Sequence, residues 1–216
     1  MALSKVDYNS INVTAAASKA LKWNSSANGF ETGDVGGSLV LISTTTASSS
    51  ATVDITSGID STYKEYQIHF MDVHPETNST DFQFQVDTGT NTSYNITCTT
   101  TAVRAYHSED GTSSSGTLEY HTSSDQAQGT AFNRITPTVG NGNDECLSGV
   151  LTLYDPSNTT FVKHFVMQSN GYHQDDICWT RFGAGYFNTT TALTRVRFKF
   201  ASDATDAGTF KLYGIL

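Results

Sequence analysis

Charge is scarce in this sequence: Asp, Glu, Lys and Arg make up only 15% of 216 residues. Basic residues are the rarer sign, 12 against 21 acidic ones, for a formal charge of −9. A nucleic-acid binder displaces counterions with clustered Lys and Arg, and this chain has no such cluster. The same shortage disfavours an anionic membrane surface. No apolar run approaches the roughly 20 residues of a membrane helix, so no membrane insertion is expected. The start, "MALSKVDYNSINV", has no apolar signal core, so a soluble chain that enters no secretory route is expected.

Cysteine and proline are also sparse, three of each. Cys98, Cys146 and Cys178 are too few and too far apart for a disulfide framework, and they carry no zinc spacing. They read as three semi-buried thiols of a protein made in a reducing cytoplasm. Three prolines interrupt few strands. The Asn-X-Ser/Thr triplets beginning at Asn12, Asn24, Asn78, Asn91, Asn95, Asn158 and Asn188 follow from a bias toward Asn, Ser and Thr.

Aromatic residues are plentiful, with 12 Phe and 10 Tyr, which excludes a disordered polar tract. From Ser38 onward the pattern has a period of two. "YKEYQIHFMDV" sets Tyr66, Ile68 and Phe70 against Gln67, His69 and Met71. "DFQFQVD" points Phe82, Phe84 and Val86 inward and Gln83 and Gln85 outward. "SATVDITS" alternates at Ala51, Val53 and Ile55, and the last two runs place Val196, Phe198, Phe200, Phe210 and Leu212 on a core face. Such alternation marks half-buried strands. No helix-period segment supplies the crossovers that a parallel sheet needs. The expected fold is all-β, an antiparallel β-sandwich, jelly-roll-like, over residues 38–216. Its last strand is expected to be fixed by sheet pairing and by burial of Phe210 and Leu212, with no need of a tail. Residues 1–37 lack the alternation. They read as a short N-terminal arm or stem with an Ala-rich patch, a helical turn at "KALKW" and a close at Gly36-Gly37.

Long polar loops, "SEDGTSSSG", "VGNGNDE" and "SNGYHQDD", are the natural carriers of recognition on a rigid sandwich. Three Tyr-His dipeptides, Tyr106-His107, Tyr120-His121 and Tyr172-His173, hold half of the six histidines. If they cluster, they offer an aromatic ligand site. If they do not, adjacent strand residues simply face opposite ways. Tyr172, His173, Asp175, Asp176 and Trp179 form the preferred ligand loop, because sugar sites combine an aromatic face with a few polar groups. The competing reading has Trp179 in the core and the two aspartates capping a turn. No metal or other cofactor is expected, since no His pair has ligand spacing and the loop lacks an EF-hand series. No catalytic set is visible either. Asp144-Glu145 and Asp175-Asp176 are sequence neighbours and say nothing of a cleft. No G-x-S-x-G elbow occurs, and the Gly-rich strings lack the Lys and helix of a phosphate loop.

The stretches "ALSKVDYNSINV", "LKWNSSANGF", "STYKEYQIHFMDVHP", "NSTDFQFQVD" and "RVRFKFASDATDAGTFKLYGIL" resemble bacteriophage virion proteins. They are similar to tail-fibre or receptor-binding proteins of marine phages, whose C-terminal part is a β-sandwich. The resemblance covers most of the chain and is strongest at "GTFKLYGIL". It implies a homotrimer with stems bundled on a three-fold axis. It further implies attachment to other virion proteins through the arm, and adhesion to a host-surface glycan or protein. The protein would be made in the host cytoplasm and located in the virion, and it would not be an enzyme. The alternative is a capsid decoration or cement protein that binds no receptor. A polysaccharide depolymerase and a secreted lectin are weaker rivals.

Overall fold

The computed structural model describes residues 19–34, 38–112 and 118–216. Contacts divide the chain into two units, Met1–Ser38 and Leu39–Leu216. The Ala-rich patch, Gly36-Gly37 and the middle of the "SEDGTSSSG" loop lie outside the described residues. No helix among the described residues is long and apolar enough to cross a membrane.

The described part of the first unit is a hairpin of β1 (Lys19–Trp23) and β2 (Phe30–Asp34), paired antiparallel with Trp23 opposite Phe30. "KALKW" is therefore a strand and not a helical turn. Helix propensity is a weak prior, and so short a helix is marginal in water. Here the Asn24 amide closes the turn on the Gly29 carbonyl at 2.9 Å, and the Trp23 and Phe30 rings stack at 4.5 Å. Leu21, Trp23 and Phe30 all remain exposed.

The second unit is an antiparallel β-sandwich of thirteen strands. Its strands are β3 (Leu39–Ser50), β4 (Val53–Ile55), β5 (Glu65–Pro75), β6 (Thr80–Thr88) and β7 (Cys98–Ser108). These are followed by β8 (Glu119–Tyr120), β9 (Gln126–Gly129), β10 (Asn133–Val139) and β11 (Leu147–Tyr154). The hairpin β12 (Lys163–His173) and β13 (Ile177–Phe187) precedes β14 (Leu193–Phe200) and β15 (Thr205–Ile215). One layer runs β3-β15-β5-β11-β12-β13-β7, with β8 and β9 on the outer edge of β7. The other runs β10-β6-β14-β4. The layers join at one corner, where Val139 of β10 pairs with His173 of β12. Near that corner β10 carries Pro137, which has no amide to give the ladder, and its register against β6 shifts between Thr136 and Val139.

The core is the aromatic layer expected from the alternation. Tyr66, Ile68, Phe70, Phe82, Phe84, Val86, Phe198, Phe210 and Leu212 are all fully buried. Rings from the two layers meet directly: Phe70 lies 5.5 Å from Phe82, Phe84 lies 5.2 Å from Phe165, and Phe198 lies 5.2 Å from Phe210. Pairs at these separations add to area burial when tilted or edge-on.

Three expectations are corrected. Ala51 precedes β4 and is exposed, so the inward face there starts at Val53. Gln85 is fully buried instead of solvated. Its Nε2 donates to the carbonyls of Ile96 and Ala131, each at 3.1 Å, so two crossing loops cover the polar side of β6. "SNGYHQDD" is not a long loop, because Ser169 to His173 belong to β12 and only residues 174–176 turn.

Candidate functional site

The tight β12–β13 turn is a local consequence of its residues. The Asp176 amide donates to the His173 carbonyl at 3.1 Å, and Asp176 itself takes φ +56. Asp tolerates that left-handed conformation better than most side chains, and a three-residue loop ending in it is a standard hairpin solution. Asp175 turns back onto His173, its amide donating to Nδ1 at 3.1 Å. The two aspartates thus shape the turn.

Strand alternation then sorts the Tyr-His dipeptides. Tyr172, Cys178 and His107 lie in one cross-strand row of β12, β13 and β7. The next row, displaced by one residue and so pointing to the other side of the layer, carries Trp179 opposite Tyr106, with His173 beside it. Each dipeptide is therefore split between faces. Tyr106, His121, His173 and Trp179 come together, whereas His107 and Tyr172 do not join them. Tyr120 is exposed, and its hydroxyl donates to the Asp125 carboxylate.

Trp179 is the hub of the inward group and is only 8% exposed. The His173 ring stacks on it at 4.9 Å, Tyr106 stacks at 5.9 Å, and His121 meets it edge-on at 6.2 Å. The Arg104 guanidinium lies 4.6 Å from the indole centroid and 5.3 Å from the Tyr106 ring. These cation–π contacts fix Arg104 over the aromatic pair.

Two further arginines belong to the group. Arg181 is two residues beyond Trp179 on β13, so both point the same way. It is buried, and its Nη1 donates to the Ile135 carbonyl of β10 at 3.0 Å, bridging the two layers. Arg134, on β10, pairs through Nε with Asp81 at 2.8 Å, and Arg104 pairs through Nε with Glu119 at 2.9 Å. Three of the five arginines in the chain thus gather at one end of the sandwich. The segment between β8 and β9 lies against them, with Ser123 Oγ 3.4 Å from Arg134 Nη1 and His121 Nε2 3.4 Å from Arg104 Nη1.

Burial and like charge set the protonation of the group. Burial, followed by the neighbouring Arg134 and Arg104, pulls Arg181 down to about 10. Burial and then Arg181, Arg104 and Arg134 pull His121 down to about 4. Burial likewise lowers His173, with Arg104 acting in the same direction and Asp175 opposing it. Both imidazoles are neutral at pH 7. Since Arg104 only donates, His121 accepts at Nε2, which leaves its Nδ1–H for Ser124 Oγ at 2.8 Å.

The alternation rule carries a signal for Arg181 that composition does not. With Trp179 inward, Arg181 and Gly183 follow on the same side. Arg104 and Arg134 have no comparable mark in the sequence. Outside this cluster, Glu109, Asp110, Thr112, Asp175 and Asp176 line an open acidic depression at the hairpin tip. Comparison with known protein families and with curated proteins finds no match to this chain.

Proposed function

We propose that this chain is a structural protein of a bacteriophage particle, of the tail-fibre or receptor-binding kind. It assembles as a homotrimer through residues 1–37 and presents the loop end of the sandwich to a host-surface glycan or protein. The reading is carried by the β1–β2 hairpin. A two-stranded hairpin is marginal by itself in water, and this one leaves Leu21, Trp23 and Phe30 uncovered. Such a unit gains stability by packing against copies of itself or against another particle protein. The rigid sandwich, with the 109–112, 118–125 and 140–146 segments and the 174–176 turn, supports a display role, because loops on a fixed scaffold carry recognition.

Mass photometry of the full chain tests the assembly. A trimer that becomes a monomer when residues 1–38 are deleted is expected. A full-length monomer that binds no host cell removes the reading. The same hairpin also suits a head-decoration protein. Densitometry of whole particles separates the two, since a cement protein is present in many copies and a fibre in few.

A further inference from the structure

Arg181 is the one arginine of the chain whose side-on fork is empty. Arg197 places Nε and Nη2 on the two oxygens of Asp54, at 2.6 and 2.5 Å. Arg104 and Arg134 each set Nε on a carboxylate, and Arg195 sets Nε on the Gly89 carbonyl at 2.8 Å. Arg181 Nε and Nη2 have no partner, although the residue is only 1% exposed. Two residues earlier on the same face of β13, the Trp179 Nε1–H is also buried and unpaired. Leaving a charged donor unpaired in the interior costs far more than leaving it in water, so such groups are retained where something completes them.

The empty edge has a defined chemistry. Nε–H and Nη2–H are parallel donors at the spacing of the two oxygens of a carboxylate, the pairing that Arg197 and Asp54 already make here. The neighbouring carboxylates leave this edge open. Asp81 and Glu119 pair directly with Arg134 and Arg104, Asp125 supplies a third negative charge nearby, and Arg181 alone of the three arginines has no carboxylate bonded to it. Asp125 also faces the cluster, but its carboxylate is engaged by the Ala102 amide and the Tyr120 hydroxyl.

We propose that Arg181 and Trp179 form a binding site for a carboxylate. The carboxylate oxygens sit on Nε and Nη2 of Arg181, the indole N–H gives a third hydrogen bond, and Arg104 and Arg134 raise the local potential. The segment 118–125 is the cover. It pairs with β7 at Tyr120 opposite Val103 and Glu119 opposite Arg104, is tied further by the His121 amide on the Ala102 carbonyl at 2.8 Å and by Asp125 on the Ala102 amide, and carries His121 and Ser123 over the arginines. Both unpaired atoms of Arg181 are sealed in the closed arrangement, so entry requires this short strand to lift. The site stands independently of the proposed role on a phage particle.

The test is a titration of the full chain with sodium acetate and with sodium glucuronate, against sodium sulfate and phosphate at equal ionic strength. Melting temperature and Trp fluorescence are read together, the latter in a Trp23→Phe background where Trp179 is the sole indole. Both carboxylates are expected to give a saturable change in Trp179 emission and a rise in melting temperature, as for any ligand of the folded state. Tighter binding of glucuronate identifies an acidic saccharide as the source, and equal binding identifies the carboxylate alone. Arg181→Met, which replaces the unpaired charge by an apolar stem, is expected to fold and to lose the response. Trp179→Phe is expected to weaken binding roughly tenfold, the loss of one hydrogen bond to a charged group. No saturable response to either carboxylate overturns the proposal. So does an equal response to sulfate, or an undiminished response in Arg181→Met.

Discussion

Arg197 holds Asp54 with both ends of its guanidinium fork while its Cζ lies 4.1 Å from the Tyr94 ring centroid. The pair spans β14 and the three-residue edge strand β4. Two charge-assisted hydrogen bonds and a stacked ring are unusual support for so short a strand. Asp54→Ala is expected to cost about 1–3 kcal/mol in urea melts, given the usual worth of hydrogen bonds to charged groups. It should also speed amide exchange at residues 53–55 ahead of the rest of the sheet. Unchanged exchange there would mean that Val53 and Ile55 alone hold the edge.

Phe198 sits at the centre of the aromatic layer, fully buried and within 6.3 Å of Phe70, Phe82, Phe84 and Phe210. Truncation to Ala removes a ring that touches both layers. A loss of about 3–5 kcal/mol is expected. A urea-melt difference below about 1 kcal/mol would contradict this facing of β14.

Acid is expected to destabilise the fold before its carboxylates titrate. His121 is held down to about 4 by burial and then by Arg181, Arg104 and Arg134, with Asp125 opposing. His173 and His69 are also lowered, each chiefly by burial. The unfolded chain therefore takes up protons first as pH falls below about 6.5, and stability declines from there toward pH 4. Melting temperatures measured from pH 7.5 to 4.5 should fall, and His121→Gln should flatten the slope. A flat wild-type profile would show that these imidazoles are not held neutral.

The thiols should react in a fixed order. Burial pushes Cys98 up to about 11, and its Sγ–H donates to Asn133 Oδ1 at 3.2 Å. Cys178 is exposed on the outer face of β13. A disulfide reagent at pH 8 should label Cys178 fast, Cys146 more slowly, and Cys98 only on unfolding. Rapid labelling of Cys98 in the native protein would indicate that β7 opens locally.

The sandwich was legible where apolar residues alternate, as over Tyr66–Phe70 of β5, Phe82–Val86 of β6 and Val196–Phe200 of β14. What the period of two does not report is what covers the outer side of a strand. Gln85 is in phase with solvent by pattern, yet loops far along the chain close over it and satisfy its amide. The Tyr-His dipeptides show the same limit from the other direction. Adjacency in a strand guarantees opposite faces, so the repeat that draws the eye is divided by the pleat, and the residues that meet at Trp179 come from β7, β12, β13 and the 118–125 segment. Arg104, Arg134 and Arg181 converge only once β10 packs across from β13, which no local pattern encodes. "KALKW" failed differently: its composition favours a helix, and a single stacked aromatic pair across the turn decides for a strand.

β15 lies between β3 and β5, hydrogen-bonded to both, although it follows every other strand in chain order. During synthesis the first layer therefore waits with a gap, β3 and β5 each showing an unpaired border to the cell until residues 205–215 emerge. Open borders of this kind invite pairing with neighbouring chains. Closure by a distant segment also makes for a slow search. Refolding monitored by stopped-flow should be slow and concentration-sensitive, and a synthetic 205–215 peptide added in excess should compete for the gap; fast refolding indifferent to that peptide would show that the layer closes by another order.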